Sequence, residues 1–282
     1  MKRMICFLLA LVLILPCLPG VARAEIVGDC GDDLSWRFSD GVLTISGTGP
    51  MPSYAYEEAP WQLGGMTVRQ LILEEGVTEI GSFAFRDCTE LERISLPASL
   101  TSIGQGAFSG CESVTALSIP DIAAWMQVEF ACWYEELYDP DLDAWREEEV
   151  CSNPLGCSDN VILYVDGREA TAVTLPEGLA AVGSNSFRGY KNLTALNLPA
   201  SVKTFGDCAF SGCTGLKDVY YSGTASQLPS IRYGTGNELL IRAAWHCGEG
   251  PHVHDFSGWE TVTPSSCTEP GLERRYCTGC DH

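Results

Sequence analysis

The hydrophobic positions in the middle of the chain recur with a period of 23 residues. Apolar residues 23 positions apart include Leu71/Ile94/Leu117, Ile80/Ile103, Phe85/Phe108 and Leu91/Val114. The same spacing returns later in the chain at Val173/Leu196/Val219, Val182/Phe205, Phe187/Phe210 and Leu193/Leu216. A fixed period of this length is typical of solenoids, whose repeats bury a continuous core only by stacking.

Each repeat contains the same short elements in the same order. A strand such as 94–96, whose alternate residues point inward, is followed by a proline that ends its pairing. Ile103-Gly104 then turns the chain, and Ala107-Phe108 fills the interior. We therefore predict a mainly β solenoid with short helical turns over residues 67–246.

Residues 25–66 lack the repeat, and we predict that they form an N-terminal cap. Leu34, Trp36 and Phe38 alternate with polar residues, a turn follows at 39–41, and a second apolar run begins at Val42. This pattern predicts a β-hairpin. A solenoid exposes unpaired ends that terminal units must cover. The pattern decays after Leu216, and a short helix near 237–244 is expected to close the other end.

The repeat is interrupted by an insert at about 121–160. It begins with a helical turn that Asp121 can cap, it is strongly acidic over 129–149, and it ends in a strand over 161–165. We expect its acidic part to be an extended loop. Its aromatic residues either pack the insert onto the coils or contact a partner, and the candidate binding residues are Trp133, Tyr134, Tyr138 and Trp145.

Residues 1–24 predict a secretory signal that is removed after Ala24. Basic residues precede an apolar run, and the segment ends in small residues. Removing Lys2, Arg3 and Arg23 leaves 17 − 3 = 14 basic and 37 acidic residues, a net charge of −23. This charge disfavours nucleic acid and anionic membranes as partners. We expect a secreted or cell-surface protein, monomeric, without membrane insertion.

Two groups of cysteines are informative. Cys88, Cys111 and Cys213 share one repeat position with Tyr190, which predicts an inward core position. A Cys88–Cys111 disulfide between adjacent coils is an alternative, because stacked strands lie within the Cα separation that a disulfide allows. The second group lies in the tail.

The tail, residues 247–282, forms a small Cys/His module that we expect to be truncated. His254, Cys267, Cys277 and Cys280 are candidate ligands for a structural Zn²⁺, because they supply four donors for a tetrahedral site. A disulfide among these cysteines, or unliganded thiols in a linker, are the alternatives. No other cofactor is predicted.

The repeats resemble the BspA-type leucine-rich repeats of bacterial surface proteins. The resemblance rests on Ile94-Ser95-Leu96-Pro97, Ile103-Gly104 and Ala107-Phe108-Ser109-Gly110-Cys111. It implies a right-handed leucine-rich-repeat solenoid with a strand-lined concave side, in secreted or surface proteins that include adhesins. It implies no catalytic motif, and the acidic insert has no counterpart in a regular repeat.

Two functions fit the sequence. The first is adhesion or recognition, with a host or neighbouring cell-surface protein or glycan as partner. The second is a non-binding spacer that displays other modules. The strand residues Ser95, Ser118, Thr174 and Asn197 are small and polar, which favours a spacer role for that face and moves specificity to the insert. No arrangement of residues predicts an enzyme.

Overall fold

The computed structural model describes residues 25–55, 57–139, 144–248, 260–263 and 272–274, and for 133–139, 144–150, 260–263 and 272–274 it describes the main chain alone. The helices are α1 Pro60–Leu63, α2 Ile122–Trp125 and α3 Glu238–Arg242, with 3₁₀ turns at Pro154–Gly156 and Ala225–Ser230. The strands are β1 Ile26–Asp29, β2 Leu34–Ser39, β3 Val42–Gly47, β4 Gly49–Pro50, β5 Gln70–Leu73, β6 Val77–Ile80, β7 Arg93–Ser95, β8 Ser102–Ile103, β9 Ala116–Ile119, β10 Glu129–Phe130, β11 Cys132–Asp139, β12 Ala144–Cys151, β13 Ile162–Val165, β14 Arg168–Glu169, β15 Ala172–Thr174, β16 Ala181–Val182, β17 Ala195–Leu198, β18 Thr204–Phe205, β19 Asp218–Tyr221, β20 Arg232–Tyr233, β21 Ala244–Cys247, β22 Glu260–Thr263 and β23 Leu272–Arg274.

The N-terminal hairpin forms where the alternation predicts it. Strands β2 and β3 pair antiparallel, and the turn between them places Asp40 and Gly41 at positive φ, 51° and 82°. Both residue types tolerate this conformation, which matches the twist of a tight hairpin. Strand β1 covers the outer edge of β2, and β3 pairs parallel with β5. The hairpin therefore joins the edge of the coil sheet.

The repeats stack as parallel strands in the register that the 23-residue period predicts. In the first stack, Ile94 pairs with Leu71 on one side and Leu117 on the other. The order of this sheet is β1-β2-β3-β5-β7-β9-β13-β14, and the narrow sheet beside it is β10-β8-β6-β4. The prediction of a mainly β solenoid with short helical turns is confirmed.

The coils divide into two stacks, a feature that the period alone does not reveal. Leu163 pairs with Leu117, so the coil between them spans 163 − 117 = 46 residues, two periods. Strand β14 then folds back antiparallel on β13 and ends the first sheet. Strand β15 begins a second stack, with sheets β15-β17-β19-β21 and β16-β18-β20. The insert therefore doubles one coil, and a hairpin separates the stacks.

Aromatic rings form columns through the cores of both stacks. The ring of Phe85 lies 5.1 Å from Trp61 and 5.4 Å from Phe108, nearly parallel to each. Phe187 and Phe210 stack in the same way at 5.2 Å. All of these rings are buried. The predicted plugs of the interior are therefore confirmed.

Each stack also has a buried tryptophan beside its first phenylalanine. The indole N–H of Trp61 donates to the Ala84 carbonyl at 2.8 Å, and that of Trp125 donates to the Ser186 carbonyl at the same distance. Ala84 and Ser186 each precede the phenylalanine that begins a column. Satisfying the indole donor lets so large a ring be buried. Trp125 thus packs the start of the insert onto the second stack.

The shared cysteine position is a core position, as predicted. Cys111 and Cys213 are buried, and each thiol donates to a main-chain carbonyl of the preceding coil at 3.1 Å, that of Phe85 and that of Phe187 respectively. Cys88 is half-buried, and all three are thiols in the structure. Tyr190 occupies the same position at the junction of the stacks. Its hydroxyl accepts from the Leu163 N–H at 3.3 Å and donates to the Ala170 carbonyl at 3.2 Å.

Candidate binding surfaces

The acidic part of the insert is a β-hairpin, so the expectation of an extended loop is wrong. Strands β11 and β12 pair antiparallel over eight residue pairs, from Cys132 opposite Cys151 to Asp139 opposite Ala144. The register sets like charges opposite one another, with Glu135 facing Glu148 and Glu136 facing Glu147. Facing like charges destabilise a pair of strands. Main-chain pairing gives the segment its regular form.

The four candidate aromatic residues all lie within this hairpin. Tyr138 is paired with Trp145 near the tip, Tyr134 with Glu149, and Trp133 with Val150 near the base. Two of the four are therefore direct cross-strand partners, and the other two occupy consecutive positions of β11. The structure brings these four residues into one element of two strands.

The base of the hairpin is fixed to the first stack by hydrogen bonds. The Ala131 N–H donates to the Ile103 carbonyl at 3.0 Å, and the Ser152 hydroxyl donates to the Gly104 carbonyl at 2.7 Å. The next residue, Asn153, is buried and reaches the second stack. Its side-chain amide donates to the carbonyls of Asn185 at 2.6 Å and Ser186 at 3.0 Å. The hairpin is therefore attached where the two stacks meet.

The outward face of the parallel strands forms a second candidate surface. Its columns follow from the strand register: Ile72, Ser95, Ser118 and Tyr164 in the first stack, and Thr174, Asn197, Tyr220 and His246 in the second. The middle of this face is small and polar, as predicted. Asn197 donates its amide N–H to the Thr174 hydroxyl at 2.9 Å.

The end of the second column carries a polar and aromatic cluster that the sequence analysis missed. The rings of Tyr220 and His246 stack with centroids 4.7 Å apart, and His246 Nε2 lies 3.0 Å from Asp218 Oδ1. Tyr220 and His246 are 26 residues apart in sequence, so adding the 23-residue period does not find them. The one signal in the sequence is a change of residue type: Tyr220 stands at the repeat position that Asn197 occupies in the preceding coil. The cluster could recognise a ligand by stacking and hydrogen bonding.

Two grooves are present in the described part of the chain. One, of about 520 Å³, lies beside α1 and includes Trp61, Met66 and Glu90 in its lining. The other, of about 340 Å³, runs along the narrow sheet and is lined in part by Glu79 and Glu129. The second groove ends at Ala131, where the hairpin begins.

The predicted zinc ligands His254, Cys267, Cys277 and Cys280 lie outside the described residues, as does the predicted signal, 1–24. Zinc or a disulfide in the tail therefore stays a prediction. Among the residues that the structure describes, no group of three or more His, Cys, Asp or Glu side chains could hold a metal ion. In the same part of the chain no helix is long and apolar enough to cross a membrane.

The parallel coils and their 23-residue register define a leucine-rich-repeat solenoid. The model of the BspA type leucine rich repeat region matches the sequence in six copies, over residues 64–134 and 166–234. The chain belongs to this repeat family. The interval between the two matched segments begins inside β11 and ends at β13, so it contains most of the acidic hairpin.

Several solved structures are similar to this chain. A leucine-rich repeat protein from Eubacterium ventriosum is 20% identical, with a TM-score of 0.30, over 71% of this chain and 73% of that chain. The T. pallidum leucine-rich repeat protein is 20% identical, with a TM-score of 0.34, over 71% and 83%. A leucine rich cell surface protein from Faecalibacterium prausnitzii is 14% identical, with a TM-score of 0.22, over 74% and 98%. No curated protein matches the sequence.

Proposed function

We propose that this protein is secreted or displayed at the cell surface and binds a protein or glycan of a host or neighbouring cell. The hairpin β11–β12 is its binding element. The observation that carries this proposal is the form of the insert: eight antiparallel residue pairs, attached at one end to the coils and absent from the regular repeat.

The composition of the hairpin supports binding by aromatic and acidic groups together. Its two strands contain four Trp and Tyr residues, six acidic residues and one arginine. Aromatic residues are strong anchors at interfaces and stack on sugar rings, whereas acidic residues attract a basic surface and repel nucleic acid. The expected partner is therefore a glycan or a protein with a basic patch.

The coils supply the support for this element. A site placed on rigid strands keeps its geometry better than a site on a free loop. The hydrogen bonds of Ala131, Ser152 and Asn153 tie both ends of the hairpin to buried main chain. In this proposal the protein is a monomer without catalytic activity, and export follows from the signal-like segment 1–24.

The spacer function is the second candidate, and one observation favours it. The middle positions of the strand face, Ser95, Ser118, Thr174 and Asn197, present small polar side chains from coil to coil, with no anchor residue among them. A spacer would leave both the hairpin and the strand face without a ligand.

The test is a glycan and extracellular-matrix array probed with residues 25–282 and two hairpin variants. The first variant replaces all four aromatic residues by alanine (W133A/Y134A/Y138A/W145A). The second, E135Q/E136Q/E147Q/E148Q, removes the facing like charges and keeps the aromatic residues. Tyr220→Ala on the strand face is the control.

We expect the parent and the control to bind the same array member and the aromatic variant to lose that binding. Loss in the glutamine variant alone would identify a charge-driven contact. Binding that persists in both hairpin variants and vanishes in Tyr220→Ala would move the site to the strand face. An array without any bound member would favour the spacer.

A further inference from the structure

Two cysteines face one another at the base of the acidic hairpin. Cys132 begins β11, Cys151 ends β12, and the register makes them direct partners. One step outside this pair, the Ser152 N–H donates to the Ala131 carbonyl at 3.0 Å. Hydrogen-bonded and non-hydrogen-bonded pairs alternate along antiparallel strands, so Cys132 and Cys151 form a non-hydrogen-bonded pair.

The geometry of such a pair suits a disulfide. In non-hydrogen-bonded pairs the Cα atoms lie about 4.5 Å apart and the side chains approach closely. This separation lies within the range of about 4.4–6.8 Å that disulfides occupy. Both cysteines are half-buried thiols in the structure.

Residues of the second stack contact the pair. The side-chain amide of Asn185 donates to Cys132 Sγ at 3.2 Å, and Arg188 donates to the carbonyl oxygen of that same amide at 3.3 Å. Burial raises the pKa of the Cys151 thiol to about 12, and the adjacent Cys132 thiol adds to the rise. The pair therefore lies between the first stack, which anchors the hairpin, and Asn185 and Arg188 of the second stack.

Two other described cysteines, Cys111 and Cys157, are arranged differently. The thiol of Cys111 donates to the Phe85 carbonyl, and that of Cys157 donates to the Phe108 carbonyl at 3.6 Å. These thiols follow a column of carbonyls through parallel coils, whereas Cys132 and Cys151 face each other across one antiparallel pair. This contrast predicts that an oxidant links Cys132 to Cys151 and leaves Cys111 and Cys157 as thiols.

We propose that Cys132 and Cys151 are a disulfide-forming pair that closes the hairpin at its base when the protein meets an oxidising small-molecule disulfide. One cysteine thiolate attacks the donor disulfide, forms a mixed disulfide and releases one donor thiolate. The thiolate of the second cysteine then attacks the protein sulfur of the mixed disulfide and releases the other donor thiolate. The two protons from the cysteine thiols pass to the two released thiolates. The protein loses two electrons, and the donor disulfide gains them.

The cross-link would fix the ends of both strands of a hairpin whose register sets Glu135 opposite Glu148 and Glu136 opposite Glu147. Removing loop-closure entropy from the open form favours the paired form. The proposal does not depend on the proposed function, because it concerns the covalent state of the hairpin and not its ligand.

The test oxidises the reduced full chain with oxidised glutathione and then alkylates every remaining thiol under denaturing conditions. Digestion after glutamate separates Cys132 from Cys151, because Glu135 and Glu149 lie between them. Mass spectrometry of the digest then identifies any linked peptides, and fragmentation distinguishes Cys151 from Cys157 on the same peptide.

We expect Cys132 linked to Cys151, with Cys111, Cys157 and Cys213 alkylated. In Cys132→Ser the Cys151 peptide should become alkylated, whereas the control Cys208→Ser should keep the link. Alkylation of both Cys132 and Cys151 in the parent protein, or a link from either one to a different cysteine, would overturn the proposal. Because the main readout uses the unmodified sequence, misfolding of a variant does not affect it.

Discussion

The coils and the acidic hairpin are stabilised in different ways. In the coils, the inward residues pair with apolar residues one period away, so Ile94 lies between Leu71 and Leu117 and all three are buried. In the hairpin, the register opposes glutamates and pairs aromatic residues only near the tip. The coils gain stability from repetition, whereas the hairpin is held by main-chain pairing and by its attachment at the base.

This difference separates stability from specificity within one chain. A core that each coil builds with its neighbours cannot vary at one position without affecting the next coil. The hairpin occurs once in the chain, so a change in it has no counterpart in a neighbouring coil. The account therefore predicts large effects on stability from substitutions in the coils and small effects from changes in the hairpin.

The largest effect is expected at the ring columns. Phe210→Ala should lower the free energy of unfolding by about 3–5 kcal/mol, because the buried ring packs on Phe187 and Phe205 and leaves a cavity. Leu63→Ala, at a residue 74% exposed, is the control and should change it by less than about 0.5 kcal/mol. Urea unfolding measures both. Equal midpoints for the two variants would contradict the core assignment.

The next effect concerns the glycine that follows the inward residue at each turn. A Cβ at Gly206 would lie 2.5 Å from the Ser184 nitrogen of the preceding coil, so Gly206→Ala should cost about 1–3 kcal/mol. Gly183 has the same repeat position in the first coil of the second stack, where the nearest atom is Ser186 Oγ at 3.3 Å. Gly183→Ala should therefore lower the stability by less than Gly206→Ala does. Thermal unfolding compares the two, and a reversed order would contradict the division into two stacks.

A smaller effect is expected at the junction of the stacks. Tyr190→Phe keeps the buried ring but removes the hydroxyl that contacts the Leu163 N–H and the Ala170 carbonyl. Leaving these groups without that partner should cost about 1–2 kcal/mol. Tyr164→Phe, on the outward face of β13, is the matched control. If both variants unfold at the same denaturant concentration, the Tyr190 hydroxyl contributes nothing to the free energy of unfolding.

The smallest effect is expected from removing the hairpin. Replacing residues 134–149 by a short glycine-containing turn leaves Ala131, Ser152 and Asn153 in place, so the melting temperature should change by only a few degrees. Circular dichroism should retain the strand signal of the coils. A chain that loses this signal would show that the hairpin is part of the core.

The sequence predicts the coils well because their signal is repeated, and it predicts the insert poorly because its signal occurs once. The period places the inward residues of the regular coils, from Leu71 to Leu117 and from Val173 to Val219, and Asp40-Gly41 marks the first hairpin turn. The acidic hairpin has no strand signal in the sequence, because the consecutive residues Glu135-Glu136 and Glu147-Glu148-Glu149 break the alternation of apolar and polar positions. Cys132 and Cys151 become neighbours only when that hairpin is known. His246 meets Tyr220 across 26 residues, a spacing that the period does not contain.

The central claim is that recognition belongs to the hairpin and stability to the coils. The most direct test is an array of glycans and matrix proteins probed in parallel with residues 25–282 and with the chain whose residues 134–149 are replaced by a turn. The account predicts binding by the complete chain and none by the shortened chain, although the shortened chain melts normally. Equal binding by the two chains would contradict it and would place recognition on the coils.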